Sequence, residues 1–390
     1  MASPQIAFVP GTQVARARHG EGPLSGLTFA AKDLFAIRGH TSSFGAPDWR
    51  RTHEPAASYA PVVAGLLEAG ADLVGVTILD ELAFSLAGIN DAYGTPENPR
   101  AEGRLCGGSS CGSAAAVAAA LCDFALGTDT AGSVRVPSAF CGLFGIRATH
   151  GALSADGVLP LAPSFDAVGY MARDAHTFGA VGKVLFGVAA SQSIERVLVA
   201  EDAFALNDAG VPEMLRDQLD GALAKLGVRA EAIDIAPEGF ATLAAAYNRL
   251  RMREIWQTLG GWYTEAAPEL SAAIDARMQQ CREVADPSQE DLALRARIRA
   301  RIDELCAPGV LLFVPPAPGI APRLDASEQE LATFRARTVE LASLSALSGA
   351  PQLVVPAREL DGAPLALSFL ARSGSDAWLS QLAPRFERAT

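Results

Sequence analysis

Histidine, lysine and paired cysteine are all scarce in this 390-residue chain, and each scarcity removes a class of chemistry. The five histidines, at positions 19, 40, 53, 150 and 176, are scattered and build no HExxH. The six cysteines (Cys106, Cys111, Cys122, Cys141, Cys281 and Cys306) form no CxxC pair and sit in apolar or helical company. They read as free thiols in a reducing compartment, and a metal site has little support. No apolar run approaches the ~20 residues that cross a bilayer. The opening Met-Ala-Ser-Pro-Gln lacks the basic and apolar regions of a signal peptide, so the expected location is cytoplasmic. A net charge of −12 and a pI near 5.0 oppose electrostatic capture of nucleic acid or anionic lipid. The expected partner is a small molecule.

What remains is a chain that is 49% hydrophobic, without repeats, in which strand patterns alternate with helix patterns. A helix from Ser58 to Ala69 leads through Gly70 to a strand at Asp72 to Ile78 and a short helix from Asp80. An alanine-rich helix follows Ser113, and short strands are predicted at Phe124 to Leu126, Leu143 to Ile146, Ala167 to Met171 and Arg196 to Ala200. Residues 212–307 read as mostly helical, with one strand at Val228 to Ile235. Ser288 with Asp291 and Ser327 with Glu330 match the helix capping box on either side of a strand at Val310 to Val314. Strands near Gln352 to Val355 and Leu365 to Leu370 and a helix from Ser375 complete the pattern. No linker separates two compositional regimes, so the expectation is a single α/β domain, an α/β/α sandwich over residues 1–390 with the helical segment covering the site.

Of 32 basic residues only Lys32, Lys183 and Lys225 are lysine. Lys183 and Lys225 fall on predicted helices as surface residues. Lys32 follows the buried-strand pattern Leu27-Thr28-Phe29-Ala30-Ala31 and is delivered into the protein. A desolvated lysine can lose its proton where arginine cannot, which makes Lys32 a candidate general base. Pairing with Asp33 or snorkelling to the surface is the plainer alternative. Two Ser/Gly clusters, Gly107-Gly108-Ser109-Ser110-Cys111-Gly112-Ser113 and Gly127-Thr128-Asp129-Thr130-Ala131-Gly132-Ser133, suit an oxyanion or a phosphate. Phosphate is the poorer fit, because GxxxxGK[ST] is absent and no GxGxxG precedes a ribose-binding acid. Ser133, at a strand-to-helix turn, is a candidate nucleophile, with an ordinary helix cap as its alternative. Neither a GxSxG elbow nor an SxxK pair surrounds it, which leaves a lysine base from elsewhere in the chain.

These residues resemble the amidase signature family. The lysine after an apolar strand (Leu27 to Asp33), the run Gly107 to Ser113, and Gly127 to Pro137 with Cys141-Gly142 follow its order and spacing over about residues 23–175. The resemblance implies a large mixed twisted sheet and a Ser-cisSer-Lys triad. Ser133 would be the nucleophile, Ser109 the bridging serine after a cis Gly108-Ser109 peptide, and Lys32 the base. It also implies an oxyanion hole from the backbone amides of Thr130, Ala131, Gly132 and Ser133. Asp129 and Arg135 are read as a buried brace, and Ser110 as a hydrogen-bonding site residue or a cap of the alanine helix. Cys106, Cys111 and Ala131 depart from the usual pattern, and Ala131 would be strained if its φ had to be positive.

The stretches Phe44 to His53, Tyr93 to Pro96 and Phe165-Asp166 are similar to the short amidases grouped with plant indole-3-acetamide hydrolase. The implied reaction is hydrolysis of a small primary amide, with an arylacetamide such as indole-3-acetamide favoured, to carboxylate and ammonia through an acyl-enzyme. No cofactor is implied, and the assembly is left open, with a homodimer as one form. The alternatives are a binding or scaffold protein on the same fold, because the subgroup includes a chloroplast import receptor with incomplete catalytic residues, and aliphatic-amide or amidotransferase-type activity. Tyr247, Trp256, Trp262 and Tyr263 on the helical segment are either pocket walls or packing residues.

Overall fold

The computed structural model describes residues 7–13, 20–190 and 192–387; the opening residues 1–5 and His19 lie outside them. The strands are β1 (Thr28–Lys32), β2 (Asp72–Thr77), β3 (Phe124–Asp129), β4 (Phe144–Arg147), β5 (Ala167–Ala172), β6 (Arg196–Ala200), β7 (Arg229–Ile233), β8 (Val310–Phe313), β9 (Gln352–Leu360) and β10 (Ala363–Leu370). They form one mixed sheet in the order β2-β1-β3-β5-β4-β9-β10-β8-β6-β7. The two edges are parallel (β2-β1-β3 and β8-β6-β7), and the centre from β3 to β8 is antiparallel. This is the expected α/β class in a single domain.

The parallel edge explains why β1 reads as an unbroken apolar run: a strand with parallel neighbours on both sides is covered on both faces. Phe29 of β1 stacks on Phe124 of β3 at 5.3 Å between ring centroids. Side-chain alternation along β5 brings helices to both faces. Tyr170 turns toward helix Ala175–Phe186 and donates to Phe178 O at 2.8 Å, whereas a Cβ on the neighbouring Gly169 would run into Ile146 O of β4, with Val134, just before helix Arg135–Phe140, 3.3 Å away. Both capping boxes form, Ser288 with Asp291 and Ser327 with Glu330, at the starts of helices Gln289–Leu305 and Glu328–Ser348.

Three local readings differ from expectation. The short helix after Asp80 is a single 3-10 turn, Glu81–Ala83, because Leu82 and Ala83 take φ of 51° and 54° and cannot propagate an α-helix. Leu82 N–H instead donates to Phe44 O at 2.8 Å. The strand predicted to end at Leu126 runs on to Asp129, since its partner β5 continues opposite it. The helix after the second Ser/Gly cluster starts at Arg135, two residues beyond Ser133, leaving Ser133 in the loop.

Candidate active site

The site lies where the parallel edge meets the antiparallel centre, at the C-terminal ends of β1 and β3. The last residue of β1, Lys32, is fully buried, and its Nζ donates to Ser109 Oγ at 2.8 Å and to Thr128 Oγ1 at 3.1 Å. It does not pair with Asp33, whose carboxylate is bonded by His40 Nε2 at 2.7 Å and by the Ser43 side chain. Burial pushes the Lys32 ammonium down from its usual 10.5 to about 8, against the opposing fields of Asp80, Cys111, Asp129 and Asp166. A lysine in that range keeps a usable neutral fraction near pH 7.

Ser109 follows a cis Gly108-Ser109 peptide. A Cβ on Gly108 would run into the Asp80 carboxylate, so only glycine fits there. Ser110 N–H donates to Ser133 O at 3.2 Å, which ties the Ser109 turn to the candidate nucleophile loop. Ser110 occupies the N-cap position of helix Cys111–Ala118, but its side chain makes no cap bond and reaches Thr128 O at 3.5 Å.

The loop carrying Ser133 is wrapped around Asp129. This buried carboxylate accepts from the backbone N–H groups of Gly132 (2.9 Å), Val134 (3.1 Å) and Arg135 (3.2 Å), and from Arg135 Nε (3.0 Å) and Nη2 (2.8 Å). Arg147, also fully buried, donates to its backbone oxygen and approaches its carboxylate at 3.4 Å. Burial alone would raise the Asp129 carboxyl, but the two guanidiniums and the backbone donors hold it well below the usual carboxylate range. The Gly132 amide, expected among the oxyanion donors, is thus spent on Asp129, which leaves Thr130, Ala131 and Ser133. The positive φ of the loop falls on Gly132 at 117°, so Ala131 is accommodated without strain.

Several neighbours escaped the sequence reading. Thr128 and Arg147 bond to Lys32 and Asp129, yet nothing in their spacing marks them except that Thr128 sits inside the second cluster. Asp80 is buried beside the Ser109 turn, with Oδ2 accepting from Gly88 N–H at 3.0 Å and Oδ1 without a partner among the described residues. Burial raises its carboxyl above the usual range. Thr130 Oγ1 donates to Asp166 at 2.5 Å. Cys111 is no rival nucleophile, because burial pushes its thiol far above the usual value.

The helical segment reaches the site through helix Phe240–Ala266: Tyr247 donates to Thr130 O at 2.7 Å. The other candidate wall aromatics lie elsewhere. Trp262 bonds to Thr52 at 2.9 Å and packs on Trp49, Tyr263 bonds to Asp275 at 2.5 Å, and Trp256 packs beside Tyr263. In front of Ser133 lies a narrow, nearly filled cleft of about 10 Å³, lined by Phe84, Ser85, Leu86, Thr130, Ala131 and Leu161 together with Arg251 and Arg335.

Residues 10–216 match the family described as Amidase. The chain is 36% identical to Amidase 1 of Arabidopsis thaliana, over 96% of each chain. The chain belongs to the amidase family. Among its amidase relatives is also a chloroplastic Outer envelope protein 64 of Arabidopsis thaliana, 35% identical over 92% of this chain and 65% of that one. A solved amidase structure superposes with a TM-score of 0.82 at 26% identity, covering 94% of this chain and 85% of that one. An amidase of this kind hydrolyses C–N bonds, and among the described residues no helix is long and apolar enough to cross a membrane.

Proposed function

We propose that this amidase hydrolyses a small primary amide to carboxylate and ammonia through an acyl-enzyme on Ser133. The observation that carries the reading is the 2.8 Å contact between Lys32 Nζ and Ser109 Oγ inside a fully buried site. Neutral Lys32 takes the proton of Ser109 as Ser109 takes that of Ser133, and Ser133 Oγ attacks the carbonyl carbon. The oxyanion that forms is held by the amides of Thr130, Ala131 and Ser133, each such donor being worth about 3 kcal/mol in the transition state. Collapse breaks the C–N bond, and the relayed proton leaves with ammonia. Water then attacks the acyl carbon, giving its proton back along the same relay, and Ser133 is regenerated.

Asp129, Arg135 and Arg147 act on the chemistry only by holding the loop. Arg135 carries the brace on to β9 through Gln352, at 2.6 Å. The six cysteines are buried free thiols, which supports a reducing cytoplasm as the working compartment. Resemblance to the short plant-type amidases puts arylacetamides such as indole-3-acetamide among the substrates to try. Similarity to an outer envelope protein keeps a scaffold role as the second reading, and one experiment separates the two. Ammonia release from an amide panel, with labelling of Ser133 by a fluorophosphonate, is expected in the parent and lost in folded Ser133→Ala. Absence of both in the parent would favour the scaffold.

A further inference from the structure

The cleft at Ser133 carries a charge pattern that hydrolysis of a neutral amide does not require. Arg251, 4% exposed, and half-buried Arg335 line it, and Arg277 donates to Phe84 O at 2.8 Å beside it. Among the described residues none of the three forms an ion pair with a carboxylate. Arg251 donates to Asn248 Oδ1 at 2.7 Å through Nη2 and lies over the Tyr247 ring at 4.9 Å from its centroid, and its buried Nε has no hydrogen-bond partner among the described residues. The guanidiniums of Arg251 and Arg335 converge on the Phe84 ring, at 5.8 and 6.0 Å from its centroid. Crowding unpaired cations in a buried site is costly unless an anion joins them. Burial together with repulsion from Arg277 and Arg251 already pushes Arg335 down to about 9. The chain also holds Leu82 and Ala83 at positive φ to present Phe84, a strained turn of the sort found where a ligand is gripped.

We propose that the substrate is the primary amide of a short dicarboxylic acid, with its free carboxylate held by Arg251 and Arg335 and the field of Arg277 added. This rests on the amidase reading above. Because ammonia is the leaving group, the carboxylate has to be on the acyl part, the only organic portion that stays with Ser133. No Asp or Glu is among the residues lining the cleft. An α-ammonium group has no carboxylate partner in that lining and faces Arg251 and Arg335, so glutamine is expected to be a poor substrate although it carries both an amide and a carboxylate.

The test compares ammonia release by the full chain from malonamate, succinamate, butyramide, indole-3-acetamide and glutamine. The acid amides are expected to exceed butyramide and glutamine in kcat/KM by about tenfold or more, the loss typical of an unmade charge-assisted hydrogen bond. Arg335→Gln and Arg251→Gln are each expected to collapse the succinamate-to-butyramide ratio by about tenfold through KM. If the buried Arg251 variant does not fold, the half-buried Arg335 variant carries the comparison alone. Neutral amides turned over as well as acid amides, or a ratio that survives Arg335→Gln, would overturn the proposal while leaving the amidase standing. No turnover of any amide with no labelling of Ser133 would overturn both.

Discussion

The position of Lys32 makes its protonation the quantity to perturb. At pH 7 a lysine at the usual 10.5 is neutral in about 0.03% of molecules, and one titrating near 8 in about 9%, a gain of about 300-fold in available base. That gain corresponds to about 3 kcal/mol. The free-enzyme profile of kcat/KM should therefore climb about tenfold per pH unit below 8 and level off above it. Lys32→Arg keeps a cation that cannot deprotonate, and is expected to lose at least about a thousandfold in ammonia release. The stability linkage has the opposite use. The folded pKa lies below the unfolded one, so between about 8 and 10.5 the unfolded chain binds more protons and stability rises with pH; below 8 the cost of the buried ammonium is fully present. Lys32→Met removes that cost along with two hydrogen bonds of about 1 kcal/mol each, so it should melt at or above the parent at pH 7 while being inactive. A flat profile from pH 6 to 9, or a Lys32→Arg enzyme with a tenth of parental turnover, would refute a neutral-lysine base.

Asp129→Asn leaves Arg135 and Arg147 buried beside a neutral partner and should cost about 3–5 kcal/mol in urea unfolding; a cost under about 1 kcal/mol would mean that Asp129 does not brace the loop. Tyr247→Phe removes the 2.7 Å bond to Thr130 O, and a drop in kcat of about three- to tenfold with little change in melting temperature is expected; unchanged kcat would separate Tyr247 from the site.

The apolar run ending at Lys32 and the two Ser/Gly clusters were legible because each is a contiguous stretch whose chemistry follows from residue type. Arg147, Thr128 and the Arg251–Arg335 pair were not. Arg147 reads as the end of an apolar strand, and its burial is imposed by Asp129, which arrives from β3. Arg251 and Arg335 lie on helices far apart in sequence and meet only because helices Phe240–Ala266 and Glu328–Ser348 pack together. The short helix expected from Asp80 is cut to the 3-10 turn Glu81–Ala83, because positive φ at Leu82 and Ala83 leaves no compositional trace in the absence of glycine. The fate of the Gly132 amide was hidden for a related reason: a Gly-Ser loop advertises free N–H groups, and only the inward turn of Asp129 decides which of them is consumed.

The β1–β3 pairing has a consequence for how reactivity appears during folding. Lys32 and Ser109 come together only after β1 and β3, about a hundred residues apart in the chain, have closed in parallel with the alanine helix between them. Loop closure on that scale is a slow, entropically opposed event compared with forming any of the flanking helices. A partly folded chain can thus display full helix content while Ser133 is still an ordinary alcohol. Covalent labelling of Ser133 during refolding should lag behind the helical signal and keep time with the burial of Phe29 against Phe124. The nucleophile thereby serves as a clock for closure of the sheet's parallel edge.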